Sequence, residues 1–267
     1  MTTPLPTSPG SFSIEGEMLD LRFRFATLTQ RERITAGYVR VRLEGPELEG
    51  FGGTGVDDHV RIFLPESRVE TVEEMRAAPS REYTPLFWGT TEQGAHYVDL
   101  EFQVHGDEGV AGVWADTAEL GSVIGIGGPR GSRRIEGTPD GWFLAGDETA
   151  IPQIRRYANA LPAGAAVRIL VEVPDASHEV PIEAPVAVEY LHRGDAAPGS
   201  ALVAALDALG EADRPGTDPF VFIAAEKAVV RAGRALACDR WGQDPDKTVI
   251  KGYWKAAETG SSYHAAH

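Results

Sequence analysis

The hydrophobic rhythm of the chain changes near residue 140. Before it, apolar and polar residues alternate. Leu19, Leu21, Phe23 and Phe25 interleave with Asp20, Arg22 and Arg24, the period of a strand with one buried face. Val39, Val41 and Leu43 repeat the pattern, as do Val60, Ile62 and Leu64 before Pro65. Residues 81–88 read as a further strand, and Val98, Leu100, Phe102 and Val104 give the clearest alternation in the chain. Residues 69–78 are acidic and polar and read as a surface excursion. A short helix is predicted over 110–120 and a strand over 122–126. Short strands punctuated by turns, with one helix, predict a closed antiparallel barrel.

Beyond residue 140 strands and helices take turns. Trp142, Phe143, Leu144 and Ala145 form an apolar run that Gly146 breaks. Asp147, Glu148 and Thr149 offer capping oxygens, and Pro152 falls in a first helical turn, where proline is tolerated. Ile151, Ile154, Tyr157 and Leu161 then recur at helical spacing. Further strands are predicted at 167–173, 186–191, 220–224 and 248–253, and helices at 200–209 and 226–241. Residues 174–185 read as a polar crossover. Near-continuously apolar strands between helices imply a mostly parallel sheet covered on both faces. Ligands on such sheets bind beyond the carboxyl ends of the strands, which points to residues 146–150 and 225–226. The expected division is a flexible arm (1–14), the barrel (15–137), the α/β domain (138–257) and a tail (258–267).

Composition narrows the partners. A formal net charge of −15 argues against nucleic acid or anionic membrane as the main partner, and an anionic ligand would need a local basic pocket. One cysteine, Cys238, excludes an intramolecular disulfide and a cysteine-cluster metal site, and fits a reducing cytoplasm. The N-terminal segment reads as no signal peptide, and no apolar run is long enough for a membrane span. The histidines stand at no metal-ligand spacing, so no metal site is expected.

Several stretches offer chemistry, each beside a plainer reading. Gly50-Phe51-Gly52-Gly53-Thr54-Gly55 has the glycine spacing of a dinucleotide fingerprint, but no helix follows and it reads as a flexible loop. In Arg81-Glu82-Tyr83-Thr84, residues 81 and 83 share one strand face. A guanidinium beside a phenol suits a pyrophosphate next to a flat ring, or is simply part of a strand. His105-Gly106 and Gly109-Val110-Ala111-Gly112 either let backbone N–H groups approach a phosphate or make a plain helix start. Gly127-Gly128-Pro129-Arg130-Gly131-Ser132 is a rigid turn carrying a cation, or a domain boundary. Gly252-Tyr253-Trp254-Lys255 packs under the sheet or lies against a planar cofactor.

Together and in this order, these pieces resemble the siderophore-interacting proteins, FAD-dependent ferric-siderophore reductases of the ferredoxin–NADP reductase superfamily. The carrying residues are Asp58-His59-Val60-Arg61, Arg81-Glu82-Tyr83-Thr84, Val104-His105-Gly106, Trp114-Ala115, Gly128-Pro129-Arg130-Gly131-Ser132, Gly146-Asp147-Glu148-Thr149-Ala150-Ile151-Pro152 and Gly252-Tyr253-Trp254-Lys255. The resemblance implies a Greek-key FAD-binding barrel followed by a parallel-sheet domain like those that bind nicotinamide nucleotides. It implies that Arg81, Tyr83 and Thr84 bind FAD, with His105, Gly106, Val110, Ala111 and Gly112 on its other side. Gly146, Asp147, Glu148, Thr149 and Ala150 would face the nicotinamide nucleotide, and Trp254 would lie near the flavin. Arg61, Arg130 and Lys255 match basic positions that receive the anionic ferric siderophore.

Three positions depart from the family pattern: Leu86 replaces a second arginine, Gly112 a frequent serine, and Ala225 a usual glycine. The implied activity is ferric-siderophore reduction through FAD, releasing iron(II), with no acid–base pair required. NADH or NADPH is the donor, and ferredoxin is a further option. Glu172 suits a ribose diol, which leans toward NADH. A general flavin reductase (diaphorase) and a non-catalytic siderophore-binding protein are the rival readings.

Overall fold

The computed structural model describes residues 11–104 and 109–256. By internal contacts the chain forms two compact units. One comprises Gly16–Arg133 with Ser177–Pro181; the other takes in Arg134–Ala176, the described residues from Ile182 onward and those up to Glu15.

In the first unit, β2 (Phe23–Thr35), β3 (Tyr38–Glu44), β4 (Val60–Phe63), β5 (Ser80–Tyr83), β6 (Phe87–Thr90), β7 (His96–Gln103) and β8 (Val123–Gly127) form a sheet in the order β5-β4-β8-β2-β3-β7-β6. Every pair in it is antiparallel. The outermost strands, β5 and β6, are consecutive in the chain and separated only by Thr84, Pro85 and Leu86. So short a connection brings the two edges of the sheet together and curls it into a barrel. Its interior takes in the alternating sets read at residues 39–43, 60–64 and 98–102, joined by Leu28 and Ile126. The set read at residues 19–25 does not line it, because β2 begins only at Phe23, Leu21 is exposed, and the buried face is that of Arg24, Ala26 and Leu28.

The local departures have physical causes. Residues 81–88 are not one strand, because proline at 85 cannot donate to a ladder; Leu86 N–H bonds Asp99 O as pairing resumes. The acidic stretch at 69–78 contains a helix, α1 (Val72–Ala77). Thr71 and Glu74 cap it reciprocally, and Met75 is buried beneath it. Strand β1 (Phe12–Met18), which begins within the expected arm, and β9 (Gly131–Gly137), at the end of the expected barrel segment, pair as a two-stranded ribbon. The Gly50–Gly55 segment makes no dinucleotide turn and is closely packed. A Cβ on Gly52 would lie 2.3 Å from the Trp88 indole nitrogen, and one on Gly55 would lie 2.0 Å from the Arg133 carbonyl.

In the second unit, β10 (Gly141–Asp147), β11 (Ala166–Val173), β12 (Glu189–His192), β13 (Pro219–Glu226) and β14 (Thr248–Trp254) form a sheet in the order β12-β11-β10-β13-β14. All its pairs are parallel. The strand order reverses between β10 and β13, the position where open α/β sheets receive ligands. Helix α3 (Ile151–Asn159) follows β10, α4 (Ser200–Ala208) follows β12 and α5 (Val229–Arg234) follows β13. Tyr157 of α3 lies against Phe220 and Phe222, and Phe12 also meets Phe220. Leu202, Leu206, Val229 and Ala232 pack with Phe143, Ala145 and Ile223 in a second cluster. The helix predicted over 226–241 becomes α5 followed by a π-helical turn, Ala235–Arg240.

Candidate functional site

In the barrel unit, β4 and β5 set the geometry. Tyr83 stands opposite Val60 and Arg81 opposite Ile62. Directly opposed residues share a face, so Arg81 and Tyr83 lie on the face of the buried Val60 and Ile62. The Tyr83 ring meets Phe102 at 4.3 Å between centroids, and burial pushes its phenol above the ordinary range, so it stays neutral. Arg81 donates to its neighbour's carbonyl, Ser80 O. Arg61 lies on the other face, opposite Glu82, and forms an ion pair with it at 2.8 Å. Thr84 is buried at the strand's end.

Helix α2 (Val110–Thr117) starts at Gly109, which has φ 81° and provides no side-chain cap. Val110, Ala111 and Gly112 make its first turn. Gly112 approaches the chain so closely that a Cβ would fall 2.8 Å from Gln103 O, so a serine there would displace backbone. An uncapped helix start with small residues, in the same barrel as Arg81 and Tyr83, fits a pyrophosphate joined to a flat ring. His105 and Gly106 lie outside the described residues. Leu86, where the family arginine is missing, is buried at 3% exposure; this chain packs a leucine there. Arg130 is exposed after the cis Gly128–Pro129 bond. Arg61 and Arg130 belong to the barrel unit, and Lys255 follows β14 in the α/β unit.

At the carboxyl edge of the parallel sheet, acidic side chains close over one another. Asp147 ends β10 with 1% exposure. Its Oδ1 accepts from the Thr149 N–H at 2.9 Å and the Thr149 hydroxyl at 2.5 Å. Its Oδ2 accepts from Glu226 N at 2.9 Å and Trp254 Nε1 at 2.8 Å. Burial raises its pKa, against the pull of these donors. Glu148 Oε1 accepts two bonds from Arg193, both at 3.1 Å. Burial and the adjacent Asp147 charge nonetheless push its carboxyl up to about 7. Gly146 is required by packing, since a Cβ would meet Ala150 Cβ at 2.4 Å and Ala224 O at 2.5 Å.

Glu172 corrects the sequence reading. It is completely buried. Its two oxygens accept from Gly199 N at 2.6 Å and Leu202 N at 2.8 Å, so it caps the start of α4 and presents nothing to a ribose. The lean toward NADH falls with it. Arg193, just beyond β12, was not singled out in the sequence. It joins Glu148 to Glu172, lying 3.6 Å from the latter, and its only signal is a cation after a short strand. Ala225, in place of glycine, is buried in the cluster with Val229 and Ala232, so its methyl is absorbed by core packing. Among the described residues no group of acidic, histidine or cysteine side chains is arranged to hold a metal.

Comparison with known proteins finds matches to both parts of the chain. The profile described as siderophore-interacting FAD-binding domain matches residues 27–133, and that described as siderophore-interacting protein matches 139–257. An NADPH-dependent ferric-chelate reductase of Escherichia coli is 31% identical over 89% of this chain and 94% of its own length. The ferric vibriobactin reductase ViuB of Vibrio cholerae is 25% identical, over 90% and 92%. The crystal structure of a siderophore utilization protein from T. fusca superimposes with a TM-score of 0.78 at 30% identity, covering 94% of this chain and 100% of that one. A ferredoxin reductase of carbazole 1,9a-dioxygenase shares the fold, with a TM-score of 0.60 at 12% identity. A barrel whose strand presents Arg81 and Tyr83 on one face, followed by a parallel sheet reversing at β10 and β13, is thus matched along both parts of its length, and the chain belongs to the siderophore-interacting protein family.

Proposed function

We propose that the protein is a cytoplasmic, FAD-dependent ferric-siderophore reductase that takes electrons from NAD(P)H and releases iron as iron(II). The observation that carries this reading is the shared face of Arg81 and Tyr83 in the segment matched by the FAD-binding profile. Arg81 supplies positive charge for the pyrophosphate, Tyr83 a neutral aromatic surface for the ring, and the α2 start at Val110–Gly112 free amide donors. Bound FAD supplies the conversion of a two-electron hydride donor into single-electron steps. The protein's own part is to bind, orient and attract. On a chain of net charge −15, Arg61, Arg130 and Lys255 are the cations assigned to the anionic chelate. The carboxyl edge of the sheet, at Gly146–Ala150, is assigned to the donor nucleotide. Residues 15–137 and 138–257 are the corresponding functional divisions.

The test is a visible spectrum of the purified protein, followed by anaerobic mixing with NADPH and ferric citrate while a chelator traps iron(II). Flavin bands that bleach with NADPH and recover as iron(II) appears are expected. A colourless protein that takes up no FAD overturns the reading, as does a reduced flavin that leaves the ferric chelate untouched. Fast reduction of free flavin or quinone beside inert ferric chelates would identify a general diaphorase.

A further inference from the structure

A carboxylate has about four lone-pair sites, and each hydrogen bond from a carboxylate to a ligand hydroxyl needs one of them. Asp147 accepts four hydrogen bonds from its own protein: two from Thr149, one from Glu226 N and one from Trp254 Nε1. With 1% exposure it has neither a site nor an opening left for a nucleotide. Its donors come from three places on the carboxyl edge, the turn after β10, the end of β13 and the end of β14. Asp147 therefore ties the switch point of the sheet to its last strand.

What it holds there is an aromatic side chain. Trp254 is half-buried at the end of β14. Its carbonyl accepts from Lys227 N at 2.9 Å, and its indole nitrogen is fixed by Asp147. The bulge between Ala225 and Glu226, where Glu226 comes opposite Trp254, sets the strand end that both bonds use. Glu226 in turn accepts from Ala228 N at 2.5 Å and Ala256 N at 3.1 Å, which ties the turn after β13 to the segment that follows the indole. An indole pinned by backbone and ring nitrogen has little freedom left to rotate, so the orientation of its plane depends on the carboxylate.

We propose that Asp147 is a positioning residue for the electron donor: it fixes Trp254 as an aromatic shelf at the carboxyl edge of the sheet, and does not itself touch the nucleotide. This rests on the reading of that edge as the NAD(P)H site. The bond matters, rather than the negative charge. In Asp147→Asn the amide oxygen can turn toward Glu226 N and Trp254 Nε1, while the amide nitrogen donates to the Thr149 hydroxyl and only the bond from the Thr149 N–H is given up. Asparagine therefore preserves the shelf, and alanine does not.

The experiment compares Asp147→Ala, Asp147→Asn, Trp254→Phe and the double variant Asp147→Ala/Trp254→Phe as FAD-loaded holoenzymes. NADPH-driven reduction of ferric citrate is measured, with near-UV circular dichroism as the second readout. Asp147→Ala and Trp254→Phe are each expected to raise the KM for NADPH about tenfold, and the double variant to be no worse than either. Asp147→Asn should stay within threefold of the wild type. The indole band lost in Trp254→Phe should also be lost in Asp147→Ala and kept in Asp147→Asn. Should Asp147→Ala fail to fold, Asp147→Asn against Trp254→Phe gives the same decision. Equal losses in Asp147→Asn and Trp254→Phe, additive losses in the double variant, or a wild-type KM in Trp254→Phe overturn the proposal. If NADPH reduces no variant, nor the wild type, the donor reading has failed, and the dichroism series alone decides whether Asp147 orients Trp254.

Discussion

The cations of the barrel assigned to ligands and the acids at the carboxyl edge of the parallel sheet are held in opposite ways. In the barrel, Arg81 is bonded to an adjacent carbonyl, Arg130 is exposed and Arg61 is paired with the solvent-exposed Glu82. In the α/β unit, Asp147, Glu148, Glu172 and Glu226 are buried and bonded to backbone amides, an indole and Arg193. The first arrangement leaves charge available to a ligand. The second commits it to the edge of the sheet itself, where the ends of β10, β13 and β14 are tied together. A motif rich in acidic residues beside a ligand-binding edge is thus no direct measure of ligand contact.

The largest expected effect that sharpens this contrast comes from Gly146→Val. A Cβ there meets Ala150 at 2.4 Å and a backbone carbonyl at 2.5 Å, and neither can move without shifting α3 or β13. A loss on the order of 3 kcal/mol is expected, read as a drop of several degrees in the melting temperature. An unchanged melting temperature would show that the edge is loosely held.

A comparable but pH-dependent effect belongs to Glu148. Its carboxyl is raised from 4.5 to about 7, so the folded protein keeps a proton there that the unfolded chain has already released. Between these two values the unfolded state binds fewer protons, and stability falls as pH rises through the window. The contribution is on the order of 3 kcal/mol. Glu148→Gln should flatten this slope in urea midpoints measured from pH 4.5 to 7.5, leaving the part that belongs to Asp147 and Glu172, whose pKa values are raised in the same direction. An identical slope in the variant would mean that Arg193 keeps Glu148 ionised throughout.

The smallest effect tests the barrel. Glu82→Gln removes the partner of Arg61, and an exposed pair is worth little. The KM for an anionic ferric chelate should fall roughly twofold, with melting temperature unchanged. A rise in KM would place Glu82, rather than Arg61, in contact with the chelate.

How far the sequence could be read depends on whether a signal repeats. Val98, Leu100 and Phe102 announce their strand because each buried side chain reinforces the same period. Asp147 announces a cap because an acidic residue after a strand and before a proline has few other uses. Helix α1 escaped because a short amphipathic segment with one buried residue, Met75, has no period to detect. The ribbon strands β1 and β9 escaped because most of their residues are exposed. Glu172 was misread because an acid at the end of a buried strand looks the same whether it caps a helix 27 residues later or waits for a ribose.

Alternation and helical spacing, both local properties, therefore determined the barrel-then-α/β order, the position of the strand–turn–helix at Gly146, and the pairing of Arg81 with Tyr83 on one strand face. Which hydrogen-bond partner each polar group takes is settled by strands far apart in the chain meeting at one edge. Asp147 reaches Trp254 across 107 positions of sequence, and no local pattern encodes that distance. Tertiary structure alone decided that the acidic residues of this turn bind the protein to itself.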